Sequence, residues 1–173
     1  ELISLDEIPL KGKFNYQNVM TAALSCILLG VDKSVIADAI RNFKPPKYRN
    51  EYIGDIDGKN IFNDSKATNI DSTLKACESM RGDTALIVGG YDKGIAYDGF
   101  FSGLPSCVKH IIATGDNVYS IMQFLPSYHE YTFEITSSLQ RATELALEKD
   151  VRNKLFSPTT SSFDRDSGHM ERG

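Results

Sequence analysis

The 173-residue sequence lacks most of the features that announce a function directly. It has three cysteines, Cys26, Cys77 and Cys107, an odd number with no two close together. That pattern gives no disulfide framework and fits reduced thiols in a reducing compartment. The three histidines, His110, His129 and His169, stand alone. Neither His-Glu-x-x-His nor Cys-x-x-Cys spacing occurs, so no metal-ligand set is expected from this chain. There is no long run of Lys or Arg, and the formal net charge is -4. Sequence-independent binding of nucleic acid is therefore not expected. No apolar run approaches the roughly 18 residues that cross a bilayer, so no membrane span is expected. The acidic start, Glu1 to Glu7, has no initiator Met and does not resemble a signal peptide. It looks more like the middle of a longer chain, and with the unclosed end at Met170 to Gly173 the sequence is expected to be a fragment. No Gly-x-x-Gly-x-x-Gly-Lys-Ser/Thr loop for nucleotide phosphates is present either.

What is present is an ordinary globular composition, 41% hydrophobic and 24% charged, with two successive patterns. Asn15 to Leu29 places Val19, Met20, Ala23, Leu24, Cys26, Ile27 and Leu28 at helical spacing, closed by Gly30. A second helix runs from Asp32 or Lys33 to about Phe43, and Pro45-Pro46 stops it. This proline pair marks the candidate boundary between a helical segment, 1–45, and a second unit, 46–173. Beyond it, strands alternate with helices. Glu51–Ile56 and Lys59–Phe62 read as a hairpin about Asp57-Gly58. A helix over Asp71–Met80 follows, then strand Thr84–Val88, helix Asp98–Leu104, strand Val108–Ala113 and helix Asn117–Phe124. Strand Tyr131–Glu134, helix Ser137–Lys149 and strand Asn153–Phe156 complete the series. The alternation predicts an α/β fold, a Rossmann-like, doubly wound, mostly parallel sheet.

Such sheets bind ligands beyond the carboxyl ends of their strands. Three loops of this chain fall there: Asn63-Asp64-Ser65-Lys66-Ala67-Thr68-Asn69, Gly89-Gly90-Tyr91-Asp92-Lys93-Gly94 and Ser157-Pro158-Thr159-Thr160-Ser161-Ser162. They combine lysines, hydroxyls, close-approach glycines and helix N-termini, which suits a carboxylate or a phosphate. Each loop also has a plainer reading: a helix cap near Asn69, a tight turn at Gly89-Gly90, a solvated charge at Lys93, a strand terminator at Ser157-Pro158. On the residues alone, the anion and the reaction stay open.

The motifs resemble a family. Asn63 to Asn69 is similar to the signature loop of the D-glutamate-adding Mur ligases. Gly12-Lys13-Phe14-Asn15-Tyr16-Gln17-Asn18 resembles the Gly-x-His-Asn-x-x-Asn stretch that ends their central ATPase domain, and Tyr48-Arg49-Asn50-Glu51 the His-Arg-x-Glu that opens their C-terminal domain. Gly89-Gly90-Tyr91-Asp92-Lys93-Gly94 resembles the Gly-Gly-x-x-Lys loop. Ser157 to Asp164, then Glu171-Arg172-Gly173, resembles the terminal Ser-Pro-Ala-x-Ala-Ser-Phe-Asp…Glu-Arg-Gly segment. The order holds from about residue 10 to the end. The resemblance assigns 1–45 to the end of a central ATP-binding domain and 46–173 to the C-terminal domain.

It implies an ATP- and Mg2+-dependent cytoplasmic ligase of peptidoglycan synthesis. Such an enzyme joins D-glutamate to UDP-N-acetylmuramoyl-L-alanine through an acyl phosphate, and a monomer is expected. By the same resemblance Asn15, Asn18, Arg49 and Asp64 contact the nucleotide. Lys66 lies near the transferred phosphoryl group, as catalytic residue and substrate contact, and Thr68, Lys93, Ser162 and Phe163 hold D-glutamate. The metal ligands are implied upstream. The chain departs from the pattern at Phe14, Tyr48, Thr159-Thr160-Ser161 and Asp166-Ser167-Gly168-His169. Another Mur or folylpolyglutamate-type ligase, and a non-catalytic small-acid or nucleotide-binding module, stay open as alternatives. With no phosphate loop of its own, the purified 173-residue chain is expected to release no phosphate from ATP, and measurable release in a coupled assay would contradict this.

Overall fold

The computed structural model describes residues 2–10, 12–127 and 130–161. The chain divides into two compact units, Glu1–Pro46 and Lys47–Gly173. The first contains helices α1, Lys13–Leu28, and α2, Lys33–Arg41. α1 ends as its sequence demands. Gly30 takes φ +80°, while its N–H and that of Val31 return to the carbonyls of Ile27 and Cys26. This is the 6→1 and 5→2 closure that favours glycine after a helix. The apolar stripe expected on α1 is not buried as a face. Ala23 is buried, whereas Met20, Leu24 and Leu28 are exposed. Within its own unit, α1 has only one further helix and a short 3-10 turn, Leu5–Glu7, to pack on.

The second unit is an α/β sheet. Its elements are β1 Glu51–Ile56, β2 Lys59–Asn63, α3 Ile70–Glu78, β3 Thr84–Val88, α4 Asp98–Gly103, β4 Val108–Ala113, α5 Val118–Met122, β5 Thr132–Ile135, α6 Leu139–Glu148 and β6 Asn153–Phe156. The strand order is β1-β2-β6-β3-β4-β5. Only the β1–β2 hairpin is antiparallel. Its turn is the Asp57-Gly58 pair, both with positive φ, as a two-residue hairpin requires.

Helices cover both faces, and β3 shows why its sequence is apolar throughout. Leu86 and Val88 join the layer formed with Cys77 of α3, Phe100 of α4 and Ile121 of α5. Ala85 and Ile87 point the other way, against Ala142 and Ala146 of α6. The last strand, β6, lies between β2 and β3. Buried Asn153 begins it: its side-chain amide donates to the carbonyls of Arg81 and Gly82 and to Thr84 Oγ1, and its oxygen accepts from Asn60 Nδ2 at 3.1 Å.

The glycine after β3 serves close approach as well as turning. Gly89 has φ +114°, and a Cβ there would sit 1.7 Å from the carbonyl oxygen of Thr114, which is backbone and cannot rotate away. Gly99, inside α4, would meet nothing within 4 Å. Gly89→Ala is therefore expected to lower the unfolding free energy by at least about 2 kcal/mol in urea titrations. Gly99→Ala should be neutral or stabilising by up to about 1 kcal/mol. Equal stability of the two variants would contradict this account.

Candidate functional site

The strand order brings the three anticipated loops to adjacent positions at one edge, because β2, β6 and β3 are neighbours in the sheet and parallel. The loops are also bonded to one another. Asp64 N–H donates to the carbonyl of Phe156 at 2.7 Å, and Gly89 N–H to that of Pro158 at 2.9 Å. Tyr91 is held at both backbone groups: its N–H donates to Ser161 O at 3.0 Å and its carbonyl accepts from Thr160 Oγ1 at 2.8 Å.

The first loop separates into scaffold and presented residues. Asn63 accepts from Ser65 N–H through Oδ1, and Asn69 caps α3 by accepting from Ser72 N–H at 2.8 Å. Between them Lys66 is exposed. Its N–H donates to the carbonyl of Tyr48 at 3.0 Å, tying the loop to the segment just after Pro46. Lys93 of the second loop reaches back, donating from Nζ to the carbonyl of Thr68 at 3.3 Å. Its loop is braced at Asp92, whose carboxylate accepts from Gly94 N–H and Ser120 Oγ. Those two bonds hold the Asp92 carboxyl below its ordinary pKa. Lys66, Thr68 and Lys93 are thus assembled on one wall. Arg49 is exposed beside it in the same unit. Asn15 and Asn18 belong to α1 of the first unit, and Ser162 and Phe163 lie outside the described residues, as do Asp166 to His169. No group of three or more His, Cys, Asp or Glu suited to a metal occurs among the described residues.

Asp64 lies beneath this wall and is only 5% exposed. Oδ1 accepts from Asn50 N–H at 2.9 Å and Oδ2 from Ser157 Oγ at 2.7 Å. Burial pushes its pKa up from 3.8 to about 6, and the two hydrogen bonds and the nearby Arg49 offset only part of that cost. The carboxylate is therefore mostly ionised at neutral pH yet poorly solvated, which suits a strong acceptor for a ligand's hydroxyls. Tyr48 works here through its backbone. It has φ +63°, donates its N–H to Glu51 Oε2 at 2.7 Å and accepts from Lys66 N–H.

Sequence reasoning passed over the polar residues underneath. Thr73 in α3 is fully buried and bonds to Ser157 and to Thr159 N–H. Asn117 and Tyr97 are buried and bonded to each other. A hydroxyl at an inward helical position, and an asparagine just beyond a strand, were the signals available.

The raised pKa of Asp64 fixes the sign of a pH effect. A group whose folded pKa exceeds its unfolded value stabilises below the unfolded pKa and loses that contribution as pH rises through the folded one. Relative to Asp64→Asn, the wild-type chain should lose on the order of 3 kcal/mol of unfolding free energy between about pH 4 and pH 7. Parallel stability curves for the two proteins would contradict a buried, desolvated Asp64.

No family model matches the chain, but curated proteins do. It is 33% identical over 177 residues to the UDP-N-acetylmuramoylalanine–D-glutamate ligase of Thermoanaerobacter sp., with 100% of this chain and 39% of that protein covered. Against the ligase of the same name from Acidobacterium capsulatum the identity is 36%, covering 99% and 37%. Against that of Elusimicrobium minutum it is 37%, covering 100% and 38%. The chain thus spans less than two-fifths of the length of these relatives, in their C-terminal part.

Among solved structures, MurF of Acinetobacter baumannii superposes with a TM-score of 0.64 at 16% identity, covering 91% of this chain and 36% of that one. The UDP-N-acetylmuramate-alanine ligase MurC of Thermotoga maritima gives 0.66 at 15%, covering 87% and 35%. The folylpolyglutamate synthase of the same organism gives 0.60 at 14%, covering 88% and 38%. At such identities these likenesses establish the fold, that of the C-terminal region of Mur and folylpolyglutamate ligases. With the sequence matches added, the chain is similar over essentially its whole length to the C-terminal part of ligases named for joining D-glutamate to UDP-N-acetylmuramoylalanine.

Proposed function

We propose that this chain is the C-terminal portion of an ATP-dependent cytoplasmic ligase that joins D-glutamate to UDP-N-acetylmuramoyl-L-alanine in peptidoglycan synthesis. The observation that carries the reading is 33–37% identity, over essentially the whole chain, to ligases named for that reaction. The geometry supports it. D-glutamate is a dicarboxylic acid, and two carboxylates leaving water need cations and donors in place. The wall formed by Lys66, Thr68 and Lys93 supplies them, and Ser162 and Phe163 are proposed to complete it.

Arg49 and Asp64 are proposed to meet the nucleotide, Asp64 by accepting from ribose hydroxyls. Asn15 and Asn18 are its proposed contacts from the first unit. ATP with magnesium supplies, when bound, the activation of the acid to be joined. The metal's ligands are assigned to the part of the protein upstream. Lys66 is proposed to stabilise negative charge near the transferred phosphoryl group. The enzyme is proposed to act as a monomer. The assigned residues therefore recognise, orient and neutralise charge.

Two measurements test this. The full-length protein, assayed with D-glutamate, L-glutamate, L-alanine and diamino acids, should turn over with D-glutamate, and a preference for any of the others would overturn the assignment. In the same enzyme Lys93→Ala should raise the KM for D-glutamate about tenfold or more, as expected for loss of a charged hydrogen bond. The KM for ATP should barely move, and equal effects on both would remove Lys93 from the amino-acid pocket.

A further inference from the structure

The segment after β6 carries three consecutive hydroxyl side chains, Thr159-Thr160-Ser161. Thr159 is buried, and its φ of +67° is uncommon for a β-branched residue and strained. An observed outlier of this kind persists only where its surroundings over-determine it.

The surroundings are a closed circuit of hydrogen bonds, and counting protons fixes its direction. Thr159 Oγ1 donates its one proton to the carbonyl of Pro158. It therefore accepts from Tyr97 Oη, 3.1 Å away. Tyr97 Oη, having given its proton, accepts from Asn117 Nδ2 at 2.6 Å. That orients the Asn117 amide, whose Oδ1 accepts from Gly90 N–H at 2.8 Å while its backbone N–H donates to Gly90 O at 3.1 Å. Gly89 N–H closes the loop onto the same Pro158 carbonyl at 2.9 Å. Tyr97, Asn117 and Thr159 are all at least 99% buried, so no water competes for these bonds. The circuit fixes both peptide groups of the Gly89-Gly90 turn, and that turn leads into Lys93.

We propose that Tyr97 and Thr159 are positioning residues that set where the Lys93 loop stands in the amino-acid pocket, a role that rests on the D-glutamate reading above. Neither hydroxyl need touch substrate. Tyr97 fixes the Asn117 amide, Asn117 fixes Gly90, and Thr159 anchors the circuit to the segment after β6. The strained backbone of Thr159 is offset by these contacts.

The test uses full-length enzyme carrying Tyr97→Phe, Thr159→Ala, Thr159→Ser and the double variant Tyr97→Phe/Thr159→Ala. Tyr97→Phe keeps the ring packed edge-on against Phe100 and removes only the hydroxyl. Tyr97→Phe and Thr159→Ala should each raise the KM for D-glutamate by about three- to tenfold, with the KM for ATP little changed. Thr159→Ser keeps the hydroxyl and should behave as wild type. The double variant should be no worse than the more affected single one, since both cut the same circuit. Additive losses, equal effects on both KM values, no effect, or failure of serine to rescue would overturn the proposal. Amide exchange at Gly90, which needs no substrate, should quicken by about tenfold in Tyr97→Phe and Thr159→Ala but not in Thr159→Ser. Unchanged exchange would overturn the proposal whatever the substrate, whereas quickened exchange in an enzyme inactive with D-glutamate would overturn only the functional reading.

Discussion

The arrangement of this domain depends on one insertion, the placing of its last strand, β6, between β2 and β3. A parallel strand in that position needs hydrogen-bonding neighbours on both sides and an apolar environment on both faces. Leu155 is fully buried, and pairing runs to Ile61 and Phe62 on one side and to Ala85 and Leu86 on the other. Asn153 satisfies the strand's start with four side-chain bonds. The insertion brings the residues after β6 into the middle of the functional edge. They separate the Lys66 loop from the Lys93 loop and bond to both.

From that placement the energetics of the site follow. Polar groups gathered between three strands lose water, and each then needs a partner inside the protein. Ser157, Thr73, Thr159, Tyr97 and Asn117 partner one another. Asp64 remains incompletely compensated. Its two donors and the Arg49 charge do not balance the desolvation of a carboxylate, and its pKa stays raised at about 6. A neutral isostere would be the more stable choice by this reckoning, so stability does not explain the carboxylate.

Much of this could be read from the residues. The hairpin at Asp57-Gly58, the continuous apolar run of β3 and the Gly30 stop are local signals with local causes, and the structure has each of them. The motif loops carried the family resemblance, and their grouping at one edge followed from the strand–helix alternation. The position of β6 was not legible, because strand order is decided by long-range pairing and no periodicity records it. The buried network was also hidden: Tyr97 and Asn117 are twenty residues apart and meet only through the sheet. The face of α1 was over-read, since helical spacing identifies an apolar stripe but not whether anything in the same unit covers it.

Division of labour between fold and loops follows. A protein named UDP-N-acetylmuramate-alanine ligase and another named folylpolyglutamate synthase share this fold at 14–15% identity. Lys93 is long and flexible, and a flexible cation discriminates poorly between acids unless its base is fixed. Here its base is fixed twice: at Asp92 by Ser120 and Gly94, and at Gly89-Gly90 by the Asn117–Tyr97–Thr159 circuit. Substitutions within such a circuit can change geometry without changing a single ligand contact.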